Sequence, residues 1–88
     1  MNTFFERLVE RVIREEQRVV RRLFESDPSI RHVAAWVDFS EINPKICTAA
    51  VTEDLVDPKL RTAASGALLE TKGARSIRWY DRPREAAG

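Results

Sequence analysis

The sequence is poor in cysteine, which cross-links small proteins, and in glycine and proline, which interrupt helices and strands. Its one cysteine, Cys47, excludes an internal disulfide, and the chain has no zinc-type spacing of cysteines and histidines. Three glycines and four prolines in 88 residues are too few for a disordered or linker-rich chain. No apolar run approaches the roughly 18 residues that a membrane span needs. We therefore expect a single domain with no metal, no cofactor and no membrane insertion.

The first residues of the sequence and its cysteine content also indicate a cellular location. The first sixteen residues, MNTFFERLVERVIREE, are charged where a secretion signal is apolar. A lone cysteine is compatible with a reducing compartment. The sequence therefore predicts a cytoplasmic protein.

The charges nearly cancel over the chain but not along it. Fifteen basic and fourteen acidic residues give a formal net charge of +1. Residues 33–57 carry only Lys45 against five acidic residues, whereas residues 58–88 carry seven basic residues against three acidic ones. A chain with this asymmetry can pair its charges internally or associate head to tail, and we favour internal pairing.

Apolar periodicity predicts two helices and three strands. A run without glycine or proline has apolar residues at helical spacing and ends at Asp27-Pro28. Asp57-Pro58 is typical of a helix start, and Gly73 is typical of a helix end. Apolar residues alternate in the predicted strands. The predicted elements are a helix over 3–26, strands over 32–40, 46–52 and 76–81, a helix over 58–72 and a flexible tail over 82–88.

The order α-β-β-α-β predicts a small α+β domain. A hairpin followed by a crossover makes the third strand parallel to the second, and we expect it to lie beside the first. This gives a three-stranded mixed sheet of order 3-1-2. We expect both helices to cover one face and the other face to carry Trp36.

The first helix carries a continuous row of arginines opposite its apolar stripe. At 100° per residue, five of the six lie within about 50° of the pole opposite that stripe, and Arg22 lies about 70° from it. The row could bind phosphate or an acidic protein. Glutamates four residues away from several arginines favour a solvated, ion-paired face instead. No aromatic residue is interleaved for base stacking. The arginine row consists of Arg7, Arg11, Arg14, Arg18, Arg21 and Arg22.

Glu16 lies at the centre of the apolar stripe of the same helix. A buried carboxylate is costly unless it is paired. We expect it to meet Arg61 or Arg78, although it could instead fix the register of two helices in a dimer. Structural pairing is favoured over a catalytic role.

Aromatic residues on an open sheet face are typical of an interface. Trp36 is predicted to lie there, and Tyr80 and Arg78 could extend the patch.

His32 is interpreted as a surface residue, and no catalytic motif or catalytic constellation is present, so we expect no enzymatic activity. The candidate partner-binding residues are Arg7, Arg11, Arg14, Arg18, Arg22, Trp36, Arg78 and Tyr80.

Residues 27–83 resemble the cytoplasmic C-terminal domain of cation diffusion facilitator transporters. The resemblance is carried by Asp27-Pro28-Ser29-Ile30 after a helix, the hairpin, the alanine-rich helix from Pro58 and the closing Ile77-Arg78-Trp79-Tyr80-Asp81-Arg82-Pro83. It implies the α-β-β-α-β architecture and a tendency to dimerise. The metal-binding histidines of that family have no counterpart here, so it implies no metal site.

Two functions follow as hypotheses. The favoured one is a non-enzymatic interaction module, homodimeric, that acts as a regulator, adaptor or inhibitor by binding a partner protein. The alternative is a nucleic-acid-associated protein that uses the arginine row. The near-neutral net charge and the glutamates flanking the row favour the first hypothesis.

Overall fold

The chain forms two helices and a three-stranded sheet. The computed structural model describes residues 3–40 and 42–83, so residues 84–88 of the predicted tail lie outside the described residues. The α+β class is confirmed, and the bounds of both helices coincide with the predicted ranges. The elements are α1 (Thr3–Ser26), β1 (His32–Asp38), β2 (Lys45–Val51), α2 (Pro58–Lys72) and β3 (Arg78–Asp81).

Local backbone features make β1 and β3 shorter than predicted. The carboxylate of Asp38 accepts a hydrogen bond from the backbone N–H of Ser40 at 2.8 Å, and this turn ends β1. Ser76 has a φ of 56°, in the left-handed region, so an extended strand cannot begin there. β3 therefore begins at Arg78 rather than at residue 76.

The strand order β2-β1-β3 confirms the predicted topology. β1 is the central strand and pairs antiparallel with both neighbours, with His32 opposite Val51 on one side and Asp81 on the other. The expected mixed sheet is therefore wrong. β2 and β3 do run in the same direction, but β1 separates them, so every hydrogen-bonded pair of strands is antiparallel.

The two helices lie on opposite faces of the sheet, which corrects the expectation that they share one. Val33 and Ala35 pack against the C-terminal half of α1. Ala34 and Trp36 point the other way and form a second cluster with Leu68 of α2. All four β1 residues are buried, because the central strand of a three-layer domain is covered on both sides.

Both ends of α2 are capped as the sequence predicts. The carboxylate of Asp57 accepts the backbone N–H of Lys59 at 2.9 Å. Gly73 adopts a φ of 67°, and its N–H donates to the carbonyl of Leu69 at 3.0 Å. Such an N-cap contributes about 1 kcal/mol. The caps matter here because no residue of α2 is fully buried.

Candidate interaction surfaces

The N-terminal half of α1 extends past the end of the sheet. Its 24 residues span about 36 Å, whereas the seven residues of β1 span about 23 Å. A short connection joins the end of α1 to the start of β1, so the two run back along one another. About nine helical residues must then project beyond the strand. In agreement, every residue from 3 to 11 is exposed, and the first buried residue is Glu16.

The projecting turns keep the apolar pattern of a buried helix. Leu8, Val9 and Ile13 continue the face that is buried further along α1, and they are 38%, 49% and 40% exposed. We call these three residues the exposed stripe. Phe39 and Ile42, in the turn between β1 and β2, are also exposed and lie at the same end of the sheet. An amphipathic helix normally buries such a stripe, so this surface is suited to association.

The arginine row is exposed along its whole length. Within the described residues, none of its six guanidinium groups comes within ion-pair distance of a carboxylate. The expected pairs with glutamates at four-residue spacing, such as Glu10 with Arg14 and Glu15 with Arg11, are therefore not formed. A shallow cleft runs along the row, lined by Arg7, Glu10, Arg11, Arg14, Glu15 and Arg18.

Trp36 does not form the predicted surface patch. It is only 5% exposed and lies under α2, together with Ala34 and Trp79. The indole N–H of Trp79 donates to the hydroxyl of Ser65 in α2 at 2.9 Å, which fixes the helix over this face. The expectation of an open face failed because both sides of β1 are apolar, and the pattern alone does not say which side a helix covers.

Arg78 and Tyr80 lie on the α1 face and do not extend a Trp36 patch, which is a second correction. Both contact the fully buried carboxylate of Glu16. The guanidinium of Arg78 forms two hydrogen bonds with it, one of them from Nε to Oε2 at 2.7 Å. The hydroxyl of Tyr80 donates to Oε2 at 2.6 Å. Glu16 is thus paired with one of the two expected arginines, and its role is structural.

This cluster shifts the pKa values of its three members. Burial opposes ionisation of Glu16, but the hydrogen bonds from Arg78 and Tyr80 outweigh it and lower the pKa of Glu16. The hydrogen bond to Glu16 raises the pKa of Arg78. Burial, together with Glu16, raises the pKa of Tyr80 to about 12. The cluster therefore keeps Glu16 and Arg78 charged and Tyr80 protonated near neutral pH.

His32 is buried, which corrects its interpretation as a surface residue. Its Nε2 accepts the backbone N–H of Leu55 at 2.9 Å, so the proton resides on Nδ1, which lies 2.8 Å from Asp81 Oδ1. Arg61 also donates to Asp81, at 2.5 Å. The hydrogen bond from His32, aided by Arg61, lowers the pKa of Asp81. Both imidazole nitrogens are engaged within the fold, so His32 serves to tie the loop before α2 to the sheet.

Arg82 binds backbone carbonyls at the C-terminal end of α1. Its guanidinium donates to the backbone carbonyls of Ile30 at 2.7 Å, Phe24 at 2.9 Å and Asp27 at 2.7 Å. It also lies over the ring of Phe24, with 5.0 Å between Cζ and the ring centroid. Arg82 falls within the predicted flexible tail over 82–88, so its contacts with α1 correct that prediction at this residue. The cationic side chain satisfies carbonyls at the helix C-terminus, where a positive charge is favourable.

The described residues show no metal site and no membrane span. Over 3–40 and 42–83, no three histidine, cysteine or acidic side chains are grouped to hold a metal ion. Within the same ranges, neither helix combines the length and hydrophobicity needed to cross a bilayer. No family model, no curated protein and no solved structure matches the chain.

Proposed function

We propose that the protein is a non-enzymatic interaction module that forms a homodimer through the exposed stripe of α1. The dimer acts as a regulator, adaptor or inhibitor by occupying the surface of a partner protein. The observation that carries this proposal is the difference in burial along one apolar face of α1. The same face that is buried from Glu16 onward is open at Leu8, Val9 and Ile13.

The exposed stripe is suited to contact with a second copy of the chain. Two helices related by a two-fold axis present identical stripes to each other, and two-fold dimers are the commonest oligomers. A net charge of +1 per chain imposes little repulsion between copies. The resemblance of residues 27–83 to a dimerising transporter domain implies a tendency to dimerise but does not include α1, so the choice of the stripe rests on its exposure alone.

Sedimentation analysis of designed variants tests this proposal. We expect the wild type to be dimeric at tens of micromolar and the double variant L8Q/I13Q to be monomeric. The matched control is L60Q/L69Q on α2, because Leu60 and Leu69 are 48% and 47% exposed but lie outside the stripe. We expect this control to remain dimeric. Circular dichroism establishes that each variant is folded.

Two results would contradict the proposal. The first is a wild type that stays monomeric over the whole concentration range. The second is equal loss of association in L8Q/I13Q and L60Q/L69Q, which would mean that association does not depend on the stripe. Once the dimer is established, affinity capture from the native host identifies the partner protein.

A further inference from the structure

We propose that the arginine row of α1 binds the phosphate backbone of duplex DNA without sequence preference. This inference goes beyond the proposed function. It concerns the opposite face of α1 and would hold for a monomer or a dimer. It starts from the finding that, among the described residues, none of the row's guanidinium groups is engaged in an ion pair. Their charges are therefore available to an external anion.

The geometry of the row suits an extended polyanion. Arg7, Arg11, Arg14 and Arg18 follow one another at spacings of four, three and four residues, so successive Cα positions rise by about 4.5–6 Å along the axis. The row from Arg7 to Arg22 spans about 22 Å. A single phosphate would engage one or two of these residues, whereas a nucleic-acid backbone can engage together the four arginines that line the cleft.

The residue type and the position of the row support phosphate binding. All basic residues of α1 are arginines, whose planar guanidinium groups can bind phosphate oxygens through two parallel hydrogen bonds. In the C-terminal half of α1 the opposite face packs on the sheet, and the row is exposed along its whole length. Dimerisation through the exposed stripe would leave both rows outside.

Among nucleic acids, duplex DNA fits this surface best. The major groove of B-DNA is about 12 Å wide and admits an α-helix, whereas the major groove of duplex RNA is too narrow and deep for side chains to read. Single strands are held by several stacked aromatic rings. Within the described residues of α1, the only aromatic side chain beside the arginine row is Phe4, which is exposed at the N-terminal end of the helix.

The two glutamates in the cleft oppose DNA binding and provide a test of it. Glu10 and Glu15 line the same cleft as four of the arginines. Phosphate would be repelled by both carboxylates. Neutralising Glu15 should therefore increase the affinity for DNA. Such a gain cannot result from a folding defect.

Fluorescence anisotropy with a mixed-sequence DNA duplex measures the expected binding. Contacts from the four arginines of the cleft predict a slope of about −3.6 in log affinity against log salt, which is a loss of about 150-fold between 50 and 200 mM salt. The variant R11Q/R14Q should bind more weakly and reduce this slope by about half. The variant E15Q should bind more tightly than wild type.

The control variant R31Q/R75Q removes the same charge from exposed arginines outside α1. We expect it to keep the wild-type slope and most of the affinity. The proposal is overturned if no binding is detected at 50 mM salt, if affinity does not depend on salt, or if the control loses as much affinity as R11Q/R14Q. Displacement of DNA by equimolar polyglutamate would also overturn it, because the row would then favour an acidic protein.

Discussion

The two halves of α1 have the same amphipathic pattern but opposite environments. In the C-terminal half, Glu16, Val20 and Phe24 are buried, and Arg82 binds the carbonyls at the helix end. In the N-terminal half, the apolar residues Leu8 and Val9 face solvent. Periodicity therefore identifies the face that is suited to burial. The length of the neighbouring strands decides how much of that face the domain itself can cover.

Because of this difference, substitutions in the two halves of α1 should affect two different free energies, that of folding and that of association. Substitutions in the C-terminal half should change the stability of the fold, because they remove buried charge pairs and helix-end contacts. Substitutions in the N-terminal half should change association and leave stability nearly unaltered. Matched pairs of variants in the two halves therefore test this difference between stability and association.

The largest expected effect on stability comes from Arg78. Replacing it by methionine leaves the carboxylate of Glu16 buried without its cation. We expect Arg78→Met to lower the free energy of unfolding by about 3 kcal/mol, the low end for a broken buried pair, because the Arg78 side chain is partly exposed. Arg14→Met removes an exposed arginine and should change stability by less than about 0.5 kcal/mol. Urea denaturation of both variants makes the comparison, and equal effects would contradict it.

Titration of Tyr80 tests the same cluster without a mutation. Tyr80 is the only tyrosine in the chain, so the near-ultraviolet absorbance of phenolate reports on it alone. We expect a midpoint at about pH 12 in the folded protein, against an ordinary value of 10. Because folding raises this pKa, its contribution to stability is complete below pH 10 and is lost as the pH rises through 12. A midpoint near 10 in the folded protein would contradict both the burial of the Tyr80 phenol and its hydrogen bond to Glu16.

The next largest effect on stability is expected for Arg82. Replacing it by methionine removes hydrogen bonds from a charged group to three backbone carbonyls. We expect Arg82→Met to lower the free energy of unfolding by about 2 kcal/mol. Arg22→Met, in the exposed row of the same half of α1, is the matched control and should have an effect of less than about 0.5 kcal/mol. If thermal unfolding shows no difference between the two variants, Arg82 does not stabilise the helix end.

The smallest effect on stability is expected in the exposed stripe. At concentrations where the wild type is monomeric, L8Q/I13Q should differ from it by less than about 0.5 kcal/mol in the free energy of unfolding. Chemical denaturation at low protein concentration measures this difference. A loss of 2 kcal/mol or more would show that the stripe is part of the domain core.

Local signals in the sequence predict the elements of this fold well. The caps Asp57 and Gly73 act through neighbouring backbone groups, and the position of Glu16 in the stripe predicts its pairing. The roles of His32 and Arg82 were missed because their partners are distant, with Asp81 49 residues from His32 and Phe24 58 residues from Arg82. The sheet face covered by α2 was mispredicted because β1 is apolar on both sides.

Hydrogen exchange along α1 at low and high protein concentration can distinguish the packed C-terminal half of the helix from the projecting N-terminal half. At low concentration, we expect the backbone amides of residues 5–14 to exchange much faster than those of residues 17–26, because only the latter half is packed on the sheet. At high concentration, residues 5–14 should gain protection while residues 17–26 stay unchanged. Uniform protection along α1 at low concentration would show that the N-terminal half is packed within the domain, and protection that does not change with concentration would show that this half takes no part in association.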